Sequence, residues 1–118
     1  MFWHVYQRTA KSPFLEKTVL ATDDSRIYEA AREYDIPVVM TAGHHRSGTD
    51  RLVEAAATLG LGPESVVVNV QGDEPLLATE MIDELLGPFD REEVCVSTLA
   101  RRLDPADAER PDLVKVVL

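Results

Sequence analysis

Three polar clusters carry residue types suited to chemistry, and each follows a short apolar run. The most informative is Gln71-Gly72-Asp73-Glu74-Pro75, which comes after Ser65-Val66-Val67-Val68-Asn69-Val70. Hard cations such as Mg²⁺ take carboxylate oxygens and commonly share the phosphate oxygens of a substrate. Asp73 is placed to begin such a site, with Gln71 beside it. Gly72 between them has no side chain, so a ligand can approach the backbone there. The plain alternative is that Asp73 is a turn or cap acid ahead of Pro75.

The second cluster runs from Gly43 to Arg51 through His44, His45, Arg46, Ser47, Gly48, Thr49 and Asp50. Ser47, Gly48 and Thr49 offer hydroxyl and backbone donors at a helix start. Arg46 and Arg51 add cationic forks suited to phosphate or carboxylate. Helix capping by Ser47 or Thr49, with the arginines in solvent, is the simpler reading of this segment taken alone. His44 and His45 have no further His or Cys at ligand spacing, so they read as solvated loop residues rather than zinc ligands. The third cluster, Thr22-Asp23-Asp24, is explained by capping of the helix that follows.

These clusters need elements to position them. Phe2, Val5 and Tyr6 recur at helical spacing, which predicts a helix over residues 2–10, ended before Ser12-Pro13. Lys17–Ala21 is a short strand candidate. A helix with Ile27, Ala30, Ala31 and Tyr34 on one face follows, stopped by Pro37, and Val38–Met40 reads as the next strand. A helix over Thr49–Leu61 buries Leu52, Ala55, Ala56 and Leu59 and stops at Gly60 and Gly62. Ser65–Val70 is the strongest strand candidate. Then come a helix over Ala78–Leu86, a strand over Val94–Leu99, a short helix opened by Asp104-Pro105, and a strand-like run over Leu113–Leu118.

Alternation of this kind predicts an α/β fold, a mostly parallel sheet flanked by helices. In such sheets ligands gather at the carboxyl ends of the strands, where all three clusters fall. No repeat or linker divides the chain, so residues 1–118 are expected to form a single domain, or part of one. A helix at one edge and an apolar run at the other suggest a fragment.

The 118 residues carry 12 Lys+Arg against 21 Asp+Glu, a formal net charge of -9. That balance argues against a nucleic-acid partner, which needs basic surface. It leaves room for a nucleotide, which needs only a few local donors or a metal ion. The one cysteine, Cys95, lies within Val94-Cys95-Val96 and is expected to be a buried, inert thiol. No apolar run approaches membrane-spanning length, and the first residues do not read as a secretory leader, so no membrane partner and a cytoplasmic location are expected. The dinucleotide fingerprint Gly-x-Gly-x-x-Gly, the P-loop and the Gly-x-Ser-x-Gly elbow do not occur.

Taken together, Val19-Leu20-Ala21-Thr22-Asp23-Asp24, Met40-Thr41, His45-Arg46-Ser47-Gly48-Thr49-Asp50-Arg51-Leu52, Val68-Asn69-Val70-Gln71-Gly72-Asp73-Glu74-Pro75 and Val114-Lys115-Val116-Val117-Leu118 form an ordered set. The chain thereby resembles the 3-deoxy-manno-octulosonate cytidylyltransferases, the CMP-Kdo synthetases of Gram-negative bacteria. The resemblance covers essentially the whole chain. It implies an incomplete Rossmann-like nucleotide-diphospho-sugar transferase fold and a single partial nucleotidyltransferase domain over 1–118. It implies transfer of CMP from CTP to Kdo, giving CMP-Kdo and pyrophosphate for lipopolysaccharide synthesis.

Carried over by position, the resemblance implies Asp73 as Mg²⁺ ligand and Gln71 as a substrate contact, the two residues at the reaction centre. Ser47, Gly48 and Thr49 are implied as the wall of the cytidine pocket, supported by Arg46 or Arg51. It further implies a triphosphate loop, much of a sugar pocket, a second metal-binding aspartate and a homodimer contact in the full-length family. None of these falls within these 118 residues, so the fragment alone is expected to be inactive. The alternatives are a cytidylyltransferase for another acidic sugar, or a non-catalytic remnant acting as a binding module.

Overall fold

The structure, a computed structural model, describes residues 1–113. The chain separates into two compact units, Met1–Asp83 and Glu84–Leu118. The first unit contains α1 (Phe2–Ala10), β1 (Leu20–Thr22), α2 (Ser25–Glu33), β2 (Val38–Met40) and α3 (Gly48–Thr58). The boundary falls within α4 (Thr79–Leu86). The second unit continues with short 3₁₀ turns over Gly87–Asp90 and Pro105–Asp107.

A βαβ unit forms the centre of the first unit. β1 and β2 pair in parallel, with Leu20 opposite Val38, Ala21 opposite Val39 and Thr22 opposite Met40. Parallel strands need a crossover, and α2 supplies it. α2 and α3 both pack on the two strands. Among the described residues the buried apolar ones are Val5, Ala31, Ile36, Ala55 and Ile82, one from each of α1, α2, the α2–β2 connection, α3 and α4. α1 and α4 are tied end to end. Arg8 donates to the Leu77 carbonyl at 3.1 Å and Thr79 Oγ1 donates to the Arg8 carbonyl at 3.1 Å.

The helix ends follow from named residues. Asp24 caps α2, accepting from Arg26 N–H at 2.8 Å. α2 stops before Pro37 because Asp35 takes the left-handed conformation, φ 55°. The Ile36 and Asp35 N–H groups then bond back to the Ala31 and Arg32 carbonyls at 2.8 and 3.1 Å. This is a Schellman closure. Gly60, φ 68°, closes α3 in the same way, with Leu61 bonding to Ala56 and Gly60 to Ala57.

Two expected strands do not form. Neither Ser65–Val70 nor Val94–Leu99 has a ladder partner among the described residues, and the sheet there has two strands. A helix satisfies its own backbone groups, whereas a strand requires a neighbour. Without one, Val66 and Val67 are about half exposed and Val96 is 83% exposed. Cys95 is exposed as well, which corrects the expectation of a buried thiol. β1 is displaced toward its carboxyl end and shortened, because three-residue β2 sets how far pairing can run. The short helix opened by Asp104 is present as a 3₁₀ turn, with Asp104 accepting from Ala106 N–H at 3.0 Å. Most of the run expected as a strand over Leu113–Leu118 lies outside the described residues.

Candidate functional site

The site is assembled at the carboxyl ends of β1 and β2, where α3 begins. Ser47 has extended backbone, φ -140° and ψ 160°, and its hydroxyl oxygen accepts from Asp50 N–H at 3.1 Å. The same hydroxyl donates to Asp50 Oδ2 at 2.9 Å, so cap and third helical residue hold each other. The capping reading of Ser47 is therefore correct, and it leaves Gly48 and Thr49 exposed at the helix start. A helix N-terminus carries unsatisfied N–H groups and a partial positive charge, which suits an anionic group.

α3 addresses both strand ends through one stripe, Ser47, Arg51 and Glu54, at i, i+4 and i+7. Arg51 Nη1 pairs with Asp23 Oδ1 at 3.0 Å, after β1. Arg51 is thus half-buried and committed to protein, not in solvent. Arg46 is exposed, with no side-chain partner among the described residues. Glu54 accepts from Ala42 N–H at 3.1 and 3.2 Å and from His45 Nε2. The His45 and Ala42 hydrogen bonds, in that order, hold the Glu54 carboxyl below the ordinary carboxylate range. The His45 side chain is only 12% exposed, so the expectation that His45 is a solvated loop residue is corrected. Sequence reasoning missed this pair because a nine-residue separation matches no periodicity. Two buried atoms, Thr41 Oγ1 and Arg51 Nε, have no hydrogen-bond partner among the described residues.

The structure brings the Gly43–Arg51 cluster and the Gln71–Pro75 cluster together. The Gln71 amide lies over Gly48, where an added β-carbon would stand 3.0 Å from Gln71 Nε2. Gln71 also donates to Asn69 Oδ1 at 3.4 Å. A turn follows, with Glu74 N–H bonded to the Gln71 carbonyl at 3.2 Å. Asp73 sits on that turn, exposed, with no hydrogen bond or ion pair to its carboxylate among the described residues. It does not cap α4, which begins only at Thr79. Nothing lies within 4 Å of the position a Gly72 side chain would take, so the backbone there is open to approach.

The described residues contain no group of three or more His, Cys, Asp or Glu able to enclose a metal ion. A free carboxylate on a turn instead matches the mode in which Mg²⁺ is held by one or two carboxylates together with substrate phosphates.

The cytidylyltransferase family profile matches residues 1–118, the whole chain. The chain belongs to the cytidylyltransferase family. It is 52% identical over 118 residues to a 3-deoxy-manno-octulosonate cytidylyltransferase of Nitratidesulfovibrio vulgaris strain DP4, a match covering 100% of the chain and 47% of that relative. It is 54% identical over 118 residues to the enzyme of the same name from Oleidesulfovibrio alaskensis, covering 99% of the chain and 47% of the relative. The chain thus spans about half the length of the curated relatives it matches. Among solved structures it is similar to a CMP:2-keto-3-deoxy-manno-octonic acid synthetase complexed with CTP. The TM-score is 0.72 and the identity 33%, over 79% of this chain and 38% of that one. The parallel α/β arrangement read from the sequence is therefore the family's fold, present here in part. Among the described residues no helix is long and apolar enough to cross a membrane.

Proposed function

We propose that residues 1–118 form one part of a nucleotidyltransferase domain that transfers CMP from CTP to Kdo, releasing pyrophosphate. The observation that carries this reading is the seating of Gln71 on Gly48. It joins the two most distinctive motifs of the chain, which lie well apart in sequence, at one helix start. The names of the relatives, and the CTP in the similar solved structure, agree with it in substrate class.

In the proposed reaction the anomeric hydroxyl of Kdo gives up its proton to solvent and its oxygen forms a bond to the α-phosphorus of CTP. The bond from that phosphorus to the bridging oxygen breaks, and pyrophosphate leaves with the electron pair. Little covalent work falls to the protein, so its contribution is positioning and charge neutralisation. Ser47, Gly48 and Thr49 form the wall of the cytidine pocket. Arg51 supports that wall from below through Asp23, and exposed Arg46 is available to anionic parts of the ligand. Gln71 contacts substrate beside the α3 start. Mg²⁺, when bound, neutralises phosphate charge, and Asp73 is the residue of this chain that would hold it. The product class fits lipopolysaccharide synthesis in the cytoplasm, by a homodimer in the full-length family.

The 118 residues by themselves turn over little or no CTP, since they correspond to 47% of the relatives' length and gather, among the described residues, no group of three or more metal-ligating side chains. Pyrophosphate release with CTP, Kdo and Mg²⁺ checks this, and robust turnover by the 118-residue chain overturns it. CTP titration with and without Mg²⁺ checks the site itself. Absence of binding in both conditions overturns the assignment of Ser47, Gly48 and Thr49 to the nucleotide.

A further inference from the structure

Glu54 does more than an exposed helical glutamate would. One carboxylate receives the Ala42 N–H at the start of the β2–α3 connection and His45 Nε2 in its middle. An ionised carboxylate is an acceptor only, so the shared proton is carried on the imidazole nitrogen. Both contacts pull the connection back onto the second turn of α3, one turn beyond Arg51, which is fixed to Asp23 at the end of β1. Gly43, between the two anchored residues, lies beside the Asp23 side chain just past β1, where a β-carbon would make ordinary contact at 3.5 Å from Asp23 Oδ2. The connection is held at residues 42 and 45. Only Arg46 then separates the second anchor from Ser47, whose hydroxyl caps the helix beneath Gln71.

We propose that Glu54 is a positioning residue for nucleotide binding. It clasps Ala42 and His45 and so sets where Ser47 and Gly48 stand relative to Gln71. The proposal rests on the nucleotide reading given above. It places a determinant of affinity in the second turn of α3, on a side chain that touches no substrate. Positioning groups of this kind matter because a loose corner must be ordered at the moment of binding, at the expense of affinity.

The test uses the 118-residue chain, with CTP as the probe. Glu54→Gln keeps the shape and helix propensity of the side chain but removes its charge and one acceptor. The expected result is amide exchange at Ala42 and Asp50 faster by about tenfold or more, with a CTP dissociation constant raised roughly tenfold. The amides of Leu59 and Gly60, which close the far end of α3, keep their wild-type exchange rates. Unchanged exchange at Asp50, or unchanged CTP affinity with Asp50 loosened, overturns the proposal. His45→Ala removes one arm and leaves the Ala42 bond, so it is the second variant should Glu54→Gln fail to fold. The same two readouts decide it. A wild-type chain that binds no CTP overturns the nucleotide reading and this proposal with it. A wild-type chain that binds CTP no more tightly than Glu54→Gln overturns only this proposal.

Discussion

The two halves of the site are built differently. From Thr41 to Glu54 the key side chains are tied to protein: Ser47 to Asp50, Arg51 to Asp23, and Glu54 to Ala42 and His45, while the Thr41 hydroxyl and Arg46 have no partner among the described residues. From Gln71 to Glu74 almost nothing is tied. Asp73 is exposed without a protein partner among the described residues, where the Gln71 side chain is held by Asn69 and by its seat on Gly48. A base or ribose is neutral and is recognised by fixed shape, so its pocket gains from rigidity. A cation shared with phosphate needs a carboxylate whose oxygens are not already spent on protein donors. The contrast therefore separates a prearranged corner from a carboxylate left free to bind, and it predicts opposite responses to substitution.

The largest effect is expected at the free carboxylate. In a full-length protein containing this segment, Asp73→Asn should lower kcat/KM by about 100-fold or more while leaving the melting temperature within error. An exposed side chain without partners contributes within about 0.5 kcal/mol to stability. Near-wild-type kinetics at saturating Mg²⁺ would show that Asp73 is a turn residue and no ligand. Gly48→Ala probes the point where the halves meet. The added methyl group stands 3.0 Å from Gln71 Nε2, so the flexible amide must move by a few tenths of an ångström. CTP affinity should fall several-fold, about 1 kcal/mol, while stability holds or rises by a few tenths, since alanine is the better helix former. A loss of stability without a change in affinity would mean that Gly48 serves the fold rather than the ligand.

Within the prearranged corner, substitution should be felt in stability. Ser47→Ala removes the α3 cap and is expected to cost about 1 kcal/mol, or about 4–8 °C in melting temperature for a unit of this size. Thermal melts followed by circular dichroism check this, and an unchanged melt would show that Thr49 or water takes over the cap.

How much of this was legible in the sequence depended on whether an element carries its own partners. The helices are read well because the stripe Leu52, Ala55, Leu59 and the caps Ser47, Asp24 and Asp104 are local signals. Val38–Met40 was equally clear, since its partner β1 lies one crossover away. Ser65–Val70 carries as strong a strand signal as any segment, yet valine content says nothing of which neighbour will accept its N–H groups. Val94–Leu99 fails in the same way, and the exposed Cys95 follows from that failure. Motif and position singled out Ser47, Gly48, Thr49, Gln71 and Asp73 as candidates, and the structure brings Gln71 against Gly48. The Glu54 clasp and the Arg51–Asp23 pair were not legible, because both depend on where the connection after β2 folds back.

The smallest effects lie at the two ends of α2, away from the Gln71 seat, and sharpen the comparison by serving as controls. At the N-terminal end the side chain of Arg26, then its N–H, lower the Asp24 carboxyl from 3.8 to about 2. A carboxyl lowered on folding contributes stability above its ordinary value and loses it as pH falls through the folded one. The α2 cap should therefore persist at pH 4 and weaken between pH 3.8 and about 2, read as the carboxyl carbon shift of Asp24 against pH. A midpoint at or above 3.8 would show that the Arg26 contacts do not persist in solution. At the C-terminal end Asp35 holds φ 55°, a conformation that costs a non-glycine residue roughly 1 kcal/mol. Asp35→Gly relieves that cost and adds backbone freedom to the unfolded chain, a term of opposite sign and similar size. Because the Schellman bonds from Asp35 and Ile36 are backbone bonds, they survive the substitution. The net change in urea unfolding should be a stabilisation of a few tenths of a kcal/mol, with CTP affinity unchanged. A shift in affinity would mean that the α2 closure communicates with the α3 start, and the separation drawn between scaffold and corner would have to be redrawn to include Asp35.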